Sequence, residues 1–383
     1  MEAKELKAPN IVIGEKSATA FCAANRTWQD GTTPMYRDVD GTLWAMSGHS
    51  HMGHIAMYRG TCIDDMQVVP GANKRIGGIQ TNFSVGSAEY AFNGIRYPEG
   101  VKPRGSIWPF GLYICPVTHR FFCLFHNESG WNGMGTAYDS YGLCDKPRGD
   151  SDFRHIGLMH SDDEGNNWTF DRWVLAAEEP CFSEEYVPDG VNAVGQKRGV
   201  ISLGSGDFSA LIDPAGEFIY LFYNIIRFDM DKRSWASCDV YLARSRRRED
   251  GLFGDFVKFC GSSFCESGIL GRETRLVSNT WHPRVVYSKK LEAYLMISVG
   301  VTPGGAKLVD DVMQLRISRD LIHWSEPVGA ELDGEPFGNH YLSMVSDSAS
   351  GQPFVIEGDE FSILANHNGT DVMRYRSRFG GAK

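Results

Sequence analysis

The residues with the most chemistry to offer are histidines and a few acids placed beside apolar strands. Seven of the eleven histidines (His49, His51, His54, His126, His282, His340 and His367) fall at or next to the ends of short aromatic and β-branched runs. Asp30 opens Asp30-Gly-Thr-Thr-Pro-Met-Tyr36, and Asp207 sits in Gly204-Ser-Gly-Asp-Phe-Ser-Ala-Leu211. Glu128 follows the run that carries His126. Imidazoles that share a site exchange protons near neutral pH or bind a divalent metal. Two carboxyl groups, or a carboxyl and a histidine, on opposite sides of a glycosidic bond can cleave it. Trp108 and Tyr341 supply faces for stacking a sugar, and Arg227 and Arg284 supply donors for its oxygens. The remaining acids read as structural. Asp38, Asp40 and Asp213 stand in turns, Asp162 and Asp163 in a hairpin, and Asp239, Asp255, Asp310 and Asp311 read as solvated loop residues.

Residues so far apart in the chain need a scaffold that gathers them. Helical periodicity is scarce, and strand-like runs bounded by Gly, Asp and Asn recur instead. Five first strands can be aligned: Thr42–His49, Arg120–Asn127, Glu217–Asn224, Glu292–Val299 and Glu360–His367. Each is followed by a second, at Ile55–Arg59, Ile156–Ser161, Val240–Ser245, Gln314–Ser318 and Val372–Ser377. Two of these second strands run into turns that end on tryptophan, Ser161–Trp168 and Ser318–Trp324, the first matching the Asp-box pattern S-x-D-x-G-x-x-W. A unit repeated five times without a Pro/Ser/Gly-rich linker predicts an all-β chain folded as one five-bladed β-propeller over residues 1–383. The blades are expected at about 30–70, 105–175, 200–260, 280–328 and 340–380, with an N-terminal strand near Ile11–Ile13 closing the ring. Two β-sandwich domains are the rival arrangement. In a propeller the inner strands line a channel, so Asp30, His49, His51, Trp108, Glu128, Asp207, Arg227, His282, Arg284, Tyr341 and His367 converge on one funnel.

Composition bounds the partners. With 383 residues, 42% hydrophobic and 12% aromatic, the chain is long and apolar enough for a large core. A net charge of −10 argues against nucleic acid, which recruits basic surfaces. No apolar run approaches the ~18 residues of a membrane span, and the charged start Met1–Lys7 has no secretory signal character. A cytoplasmic location is the expectation, compatible also with export of a processed form. Nine cysteines, several inside apolar runs, read as buried free thiols of a reducing compartment. The sequence leaves the oligomeric state open.

The stretch Asp30-Gly-Thr-Thr-Pro-Met-Tyr-Arg-Asp-Val-Asp-Gly-Thr-Leu-Trp-Ala-Met-Ser-Gly-His-Ser50 resembles the opening blade of five-bladed glycosidases. It is most similar to the bacterial endo-D-arabinanase family first catalogued as a domain of unknown function. Ser106-Ile-Trp-Pro-Phe-Gly111, Tyr220-Leu-Phe-Tyr223 and Val240-Tyr-Leu-Ala-Arg244 are similar in kind. The resemblance implies a glycosidase whose two blade-one acids fall on Asp30 and His49. The second is a departure, since Gly48-His49-Ser50 stands where Gly-Asp-Thr is expected. Some five-bladed exo-glycosidases acting on marine galactans are similar in using His as the acid. The tryptophan hairpins also resemble those of sialidases, but no Arg-Ile-Pro stands near the N-terminus.

The leading expectation is therefore a glycoside hydrolase with Asp30 as base or nucleophile and His49 as acid. Asp207 would orient the sugar or tune a neighbour, and Glu128 would reach in from the second unit. A polysaccharide lyase, with Tyr341 and a histidine moving protons on a uronate, is one alternative. A non-catalytic carbohydrate-binding propeller is another, although channel residues that differ from unit to unit suit one central site better. A calcium or zinc ion in the channel is an open expectation.

Overall fold

The computed structural model describes residues 6–27, 29–49, 54–74, 95–96, 106–128, 154–176, 200–229, 231–232, 234–302, 309–367 and 369–380. The N-terminal segment gives β1 (Ile11–Val12) and β2 (Lys16–Cys22). A first antiparallel ladder follows: β3 (Met35–Arg37), β4 (Leu43–Gly48), β5 (Ile55–Gly60) and β6 (Gln67–Lys74). After the short β7 (Ile95–Arg96), the second ladder comprises β8 (Ser106–Ile114), β9 (Phe121–Glu128), β10 (Arg154–Ser161) and β11 (Trp168–Ala176). The third runs through β12 (Val200–Ile212), β13 (Phe218–Asp229), β14 (Ser234–Arg246), β15 (Val257–Cys260) and β16 (Ser263–Ser267). One parallel pair, Arg154 with Gly204, joins the second and third. The fourth holds β17 (Thr280–Ser288), β18 (Ala293–Val301) and β19 (Val309–Ser318), beyond which lies the small pair β20 (Glu331–Leu332) and β21 (Glu335–Pro336). The fifth combines β22 (Leu342–Val345), β24 (Glu360–His367) and β25 (Asp371–Phe379), while β23 (Val355–Ile356) pairs back onto β17.

The two chain ends share that fifth ladder. β1 pairs with β25 through Ile11 and Phe379, and β2 pairs with it through Lys16 and Tyr375. No helix among the described residues is long and apolar enough to cross a membrane.

Continuous apolar runs such as Phe121-Phe-Cys-Leu-Phe125 form strands because both faces of each ladder are covered. Phe121, Cys123 and Phe125 pack with Tyr36, Trp44 and Met46 of the first ladder, whereas Leu124 packs with Phe208, Leu221 and Tyr241 of the third. The third meets the fourth through Phe222, Leu242, Val285 and Met296. Leu295 and Ile297 of the fourth meet Leu342 and Ile363 of the fifth. Val345, Leu364 and Val372 of the fifth then meet Met35, Ala45 and Tyr58 of the first. The series of cores thus returns to where it began. Along its middle runs a gap of about 20 Å³, close to one water molecule, lined by every ladder: Pro34 and Met35, Phe110 to Leu112, Ala210, Val285 and Met344.

The tryptophan hairpins form as their sequences require. Ser161 Oγ donates to Asp163 Oδ1 at 2.8 Å, Asp163 Oδ1 accepts the Asn167 N–H at 2.7 Å, and Trp168 is buried at the start of β11. In the second, Asp320 Oδ1 accepts the Ile322 and His323 N–H groups.

Polar groups also tie the fifth ladder to the first. Arg374 on β25 donates to Ser362 Oγ at 2.6 Å, to Asp64 of the first ladder at 2.5 Å and to Asp347 at 2.8 Å. Its side chain is 6% exposed, so its removal strands the part-buried Asp347 carboxylate and Ser362 Oγ, while Asp64 stays in solvent. We expect Arg374→Ala to cost about 2 kcal/mol, the scale of a lost charged hydrogen bond to a part-buried acid. A calorimetric unfolding midpoint within about one degree of the parent would contradict that role.

Candidate active site

The site is assembled at strand ends and bulges of the inner strands. Asp30 lies in an irregular segment, Asp30–Pro34, ahead of β3, which begins at Met35. Asp30 Oδ2 accepts the Trp108 Nε1–H at 3.3 Å. Trp108 on β8 meets the His126 ring of β9 edge to face at 5.3 Å. His126 Nδ1 accepts the backbone N–H of Asp207 at 2.9 Å. That acceptance leaves the proton on Nε2, which donates to Glu128 Oε1 at 3.1 Å. Asp207 Oδ2 accepts the Trp281 Nε1–H at 2.8 Å, and its Oδ1 lies 3.9 Å from His282 Nδ1. The His282 ring then touches His340 at 4.7 Å and Tyr341 at 4.0 Å, centroid to centroid. The Tyr341 carbonyl accepts the Asn366 N–H, and Asn366 Nδ2 donates to the Gln29 carbonyl at 2.5 Å. Gln29 precedes Asp30. Contacts therefore run through all five ladders and close on themselves.

Local backbone explains how the side chains reach this circle. β8, β12 and β17 each change register, at Pro109/Gly111, Gly206/Ser209 and Trp281/Arg284. A bulge re-aims the side chain it carries. Asp207 and His282 sit on two of these bulges with φ of 42° and 54°. Left-handed backbone at non-glycine residues costs on the order of 1–3 kcal/mol and is held where surrounding contacts dictate it. At Gly206 a Cβ would lie 2.4 Å from the His126 ring, so only glycine lets that ring seat against β12.

Electrostatics tie the groups together. Arg154 Nε donates to Glu128 Oε1 at 3.0 Å and stands 4.0 Å from Asp207 Oδ2, serving both acids. Burial pushes the Tyr341 phenol well above its usual value, and the negative charges of Asp30, Asp207 and Glu128 push it further while Arg154 opposes them. Burial drives His282 well below the ordinary histidine value, helped by His340, His126 and Arg154. Burial also lowers His49, against the pull of Asp30 and Glu128. The His282 Nε2 atom is buried and has no hydrogen-bond partner among the described residues.

These shifts carry a sign for stability. Histidines held neutral in the fold take up protons first in the unfolded chain, so stability is lost as pH falls from about 6.5 toward their lowered values. The unfolding midpoint is expected to be lower at pH 5.5 than at pH 7.5, with part of that difference missing in His49→Phe. A flat profile across that window would contradict the assignment.

Of the residues expected from sequence, Asp30, His49, Trp108, Glu128, Asp207, His282 and Tyr341 come together. His49 lies flat on Trp108, rings parallel within 5° and 5.5 Å apart. Arg227 does not join them: it donates to Asp239 at 3.1 Å and to the Tyr241 hydroxyl at 3.0 Å. Asp239, expected in solvent, is 2% exposed because that arginine and the Asn279 N–H hold it. Arg284 is buried beneath the site rather than facing a sugar, donating to the Phe110 carbonyl at 3.3 Å and to Thr32 Oγ1 at 3.4 Å. Burial lowers its guanidinium to about 10. It ties β17 to the segment that carries Asp30. His367 is exposed, on the opposite side of β24 from buried Asn366. His51 lies outside the described residues. Arg154 and Trp281 were missed: each opens or sits near a strand, but only its contacts reveal a role. Among the described residues no group of three His, Cys, Asp or Glu side chains is placed to hold a metal ion.

With this geometry, comparison with solved structures is informative. A family 117 glycoside hydrolase of the marine bacterium Zobellia galactanivorans aligns over 97% of this chain and 90% of its own, at 9% identity and a TM-score of 0.51. The fold is shared with a glycoside hydrolase. An α-L-arabinofuranosidase from Lactobacillus brevis aligns over 93% of this chain and 92% of its own, at 10% identity and a TM-score of 0.48. A thermostable family-43 glycoside hydrolase does so over 96% and 97%, at 9% and 0.43. At such identities the likeness concerns the all-β, multi-sheet fold alone. No family model and no curated protein matches the chain.

Proposed function

We propose that the chain is a five-bladed β-propeller glycoside hydrolase acting on an oligo- or polysaccharide at the mouth of its channel. The observation that carries this reading is the closed circle of contacts through Asp30, Trp108, His126, Asp207, His282 and Tyr341. The cyclic series of cores supports the propeller. The name of the Zobellia relative makes glycosidic cleavage the reaction to try first. The Asp30–Ser50 motif keeps D-arabinan among the glycans to test.

In this reading Asp30 is base or nucleophile, accepting a proton from water or attacking the anomeric carbon. The proton donor is His282 rather than His49. His282 stands on the fourth ladder and Asp30 ahead of the first, and its Nε2 has no partner among the described residues, whereas His49 packs flat on the same indole that Asp30 holds. As the bond breaks, the protonated fraction of His282, which grows as pH falls, passes its Nε2 proton to the leaving oxygen, and Asp207 Oδ1 faces its Nδ1 at 3.9 Å. Trp108 holds Asp30 in place, and Glu128 with Arg154 holds His126.

The lyase reading gains from the Tyr341–His282 contact but loses more from charge. A phenol surrounded by three carboxylates resists ionisation, which is the opposite of what a tyrosine base needs. Incubation with a panel of plant, algal and bacterial glycans, scored for reducing ends and ultraviolet absorbance together, separates the readings. Reducing ends without new absorbance support hydrolysis. Rising absorbance supports the lyase, and glycan retention with neither signal supports a binding protein.

A further inference from the structure

Three of the ladders carry, on the strand next to the inner one, a polar side chain that passes a hydrogen bond to the backbone of the next ladder. His126 of β9 accepts the Asp207 N–H of β12 at 2.9 Å. Asn366 of β24 donates to the carbonyl of Gln29, which leads into the first ladder, at 2.5 Å. Asn224 of β13 is the third, and its Oδ1 accepts the His282 N–H of β17 at 2.9 Å. We infer that Asn224 is a positioning residue, one that holds the His282 backbone at its bulge so that the ring presents Nε2 to the leaving oxygen. The inference rests on the proposed donor role of His282.

The His282 backbone needs such a hold. Its φ is 54°, and the residue before a proline favours extended backbone, so Pro283 makes the left-handed turn less favourable still. The register change between Trp281 and Arg284 leaves His282 with no residue opposite it on β18, and its N–H must find a partner elsewhere. Asn224 supplies it. The other end of the same amide, Nδ2, donates to the Thr280 carbonyl at 2.9 Å and to the Asp239 carbonyl at 3.1 Å. One planar group thus grips both ends of Thr280–His282 and ties that stretch to β14.

Asn224 is 1% exposed, so water does not compete for these bonds. With the backbone held, Trp281 lies against the His282 ring at 4.8 Å and 14° while its Nε1–H reaches Asp207. Without the Asn224 oxygen the His282 N–H is buried and unpaired, and the turn relaxes toward extended backbone. The ring then swings away from Asp207.

The test compares Asn224→Leu, similar in volume but without hydrogen-bonding atoms, with Asn224→Asp, which keeps an oxygen for the His282 N–H and turns an acceptor toward the two carbonyls. On whichever glycan of the panel the parent cleaves, Asn224→Leu should lower kcat about 10²-fold, the scale of a reacting group misplaced by about 1 Å. KM should change little, and the loss should be much smaller on a dinitrophenyl glycoside of the same sugar, whose leaving group departs without a proton. Asn224→Asp should show the same pattern with a smaller loss, and it carries the comparison should Asn224→Leu unfold. Added to His282→Gln, Asn224→Leu should cost less than about twofold more, because it has nothing left to position. Equal losses on both leaving groups, or a full further loss in the His282→Gln background, would leave Asn224 with a structural role only.

The titration of the His282 ring, followed by its proton resonances, needs no substrate. Asp207 faces that ring from β12, Trp281 from its own strand, and His340 and Tyr341 from the segment ahead of β22, with the charges of His126 and Arg154 beyond. Burial holds the ring low in the parent, so its release in Asn224→Leu should bring the midpoint back toward about 6.5. That shift in a parent protein that cleaves no glycan would end the hydrolase reading and keep Asn224 as the residue that seats His282. An unmoved midpoint in an active enzyme would overturn the inference alone.

Discussion

Asp30→Asn is expected to lower kcat by roughly 10³-fold on the glycan that the protein cleaves, with KM and the unfolding midpoint little changed. The substitution keeps the shape of the side chain, and the new amide oxygen can still accept the Trp108 Nε1–H that Asp30 accepts at 3.3 Å. Only the negative charge and the proton-accepting or nucleophilic oxygen are lost. The Tyr341 phenol offers an independent check, because Asp30 is the first of the three charges that raise it beyond the effect of burial. Its titration should move down in the variant. Turnover within tenfold of the parent enzyme would remove Asp30 from the chemistry.

His282→Gln should cost about 10² to 10⁴ in kcat on natural glycans, and much less on a dinitrophenyl glycoside, whose leaving group departs without a proton. The pH profile gives the sign. Burial holds His282 below the ordinary histidine value, so the protonated donor becomes more abundant as pH falls below about 6.5. In the parent enzyme, kcat/KM should climb as pH falls along the alkaline limb of its profile. The variant should lose that limb. The same acidification weakens the fold, so the rates should be read below the unfolding transition. An unchanged alkaline limb, or equal losses on both leaving groups, would return the donor role to another residue such as His49.

The strands of this protein were legible because their runs are apolar on both faces. Phe121–Phe125, Phe218–Tyr223 and Phe361–Ala365 need no alternation, since a neighbouring ladder covers each side. The turns announced themselves as well: Asp213 closes its turn by accepting the Phe218 N–H, as the Asp213-Pro-Ala-Gly216 sequence requires. Convergence of Asp30, Trp108, Asp207, His282 and Tyr341 followed from placing each at an inner strand. What the sequence hid was side-chain direction at the bulges. A register change at Gly206/Ser209 or Trp281/Arg284 reverses the alternation locally, so no spacing rule tells that His282 faces Asp207 while Arg284, two residues on, goes beneath the site. Arg227 misled for a related reason. It lies three residues past Asn224 on β13, far enough along the strand to find Asp239 and Tyr241 instead of the circle. Arg154 was silent because an arginine at the start of a strand is ordinary until its two acids, from different ladders, are seen beside it.

The central claim is that residues from five ladders form one glycan-cleaving site, and a crystal structure of Asp30→Asn soaked with a cleavable oligosaccharide tests it most directly. The expected result is a sugar ring held against Trp108, with the residue at position 30 on one side of the scissile bond and His282 Nε2 within hydrogen-bond reach of the glycosidic oxygen on the other. A sugar bound on an outer surface, or Asp30 and His282 opening onto separate cavities, would contradict the account.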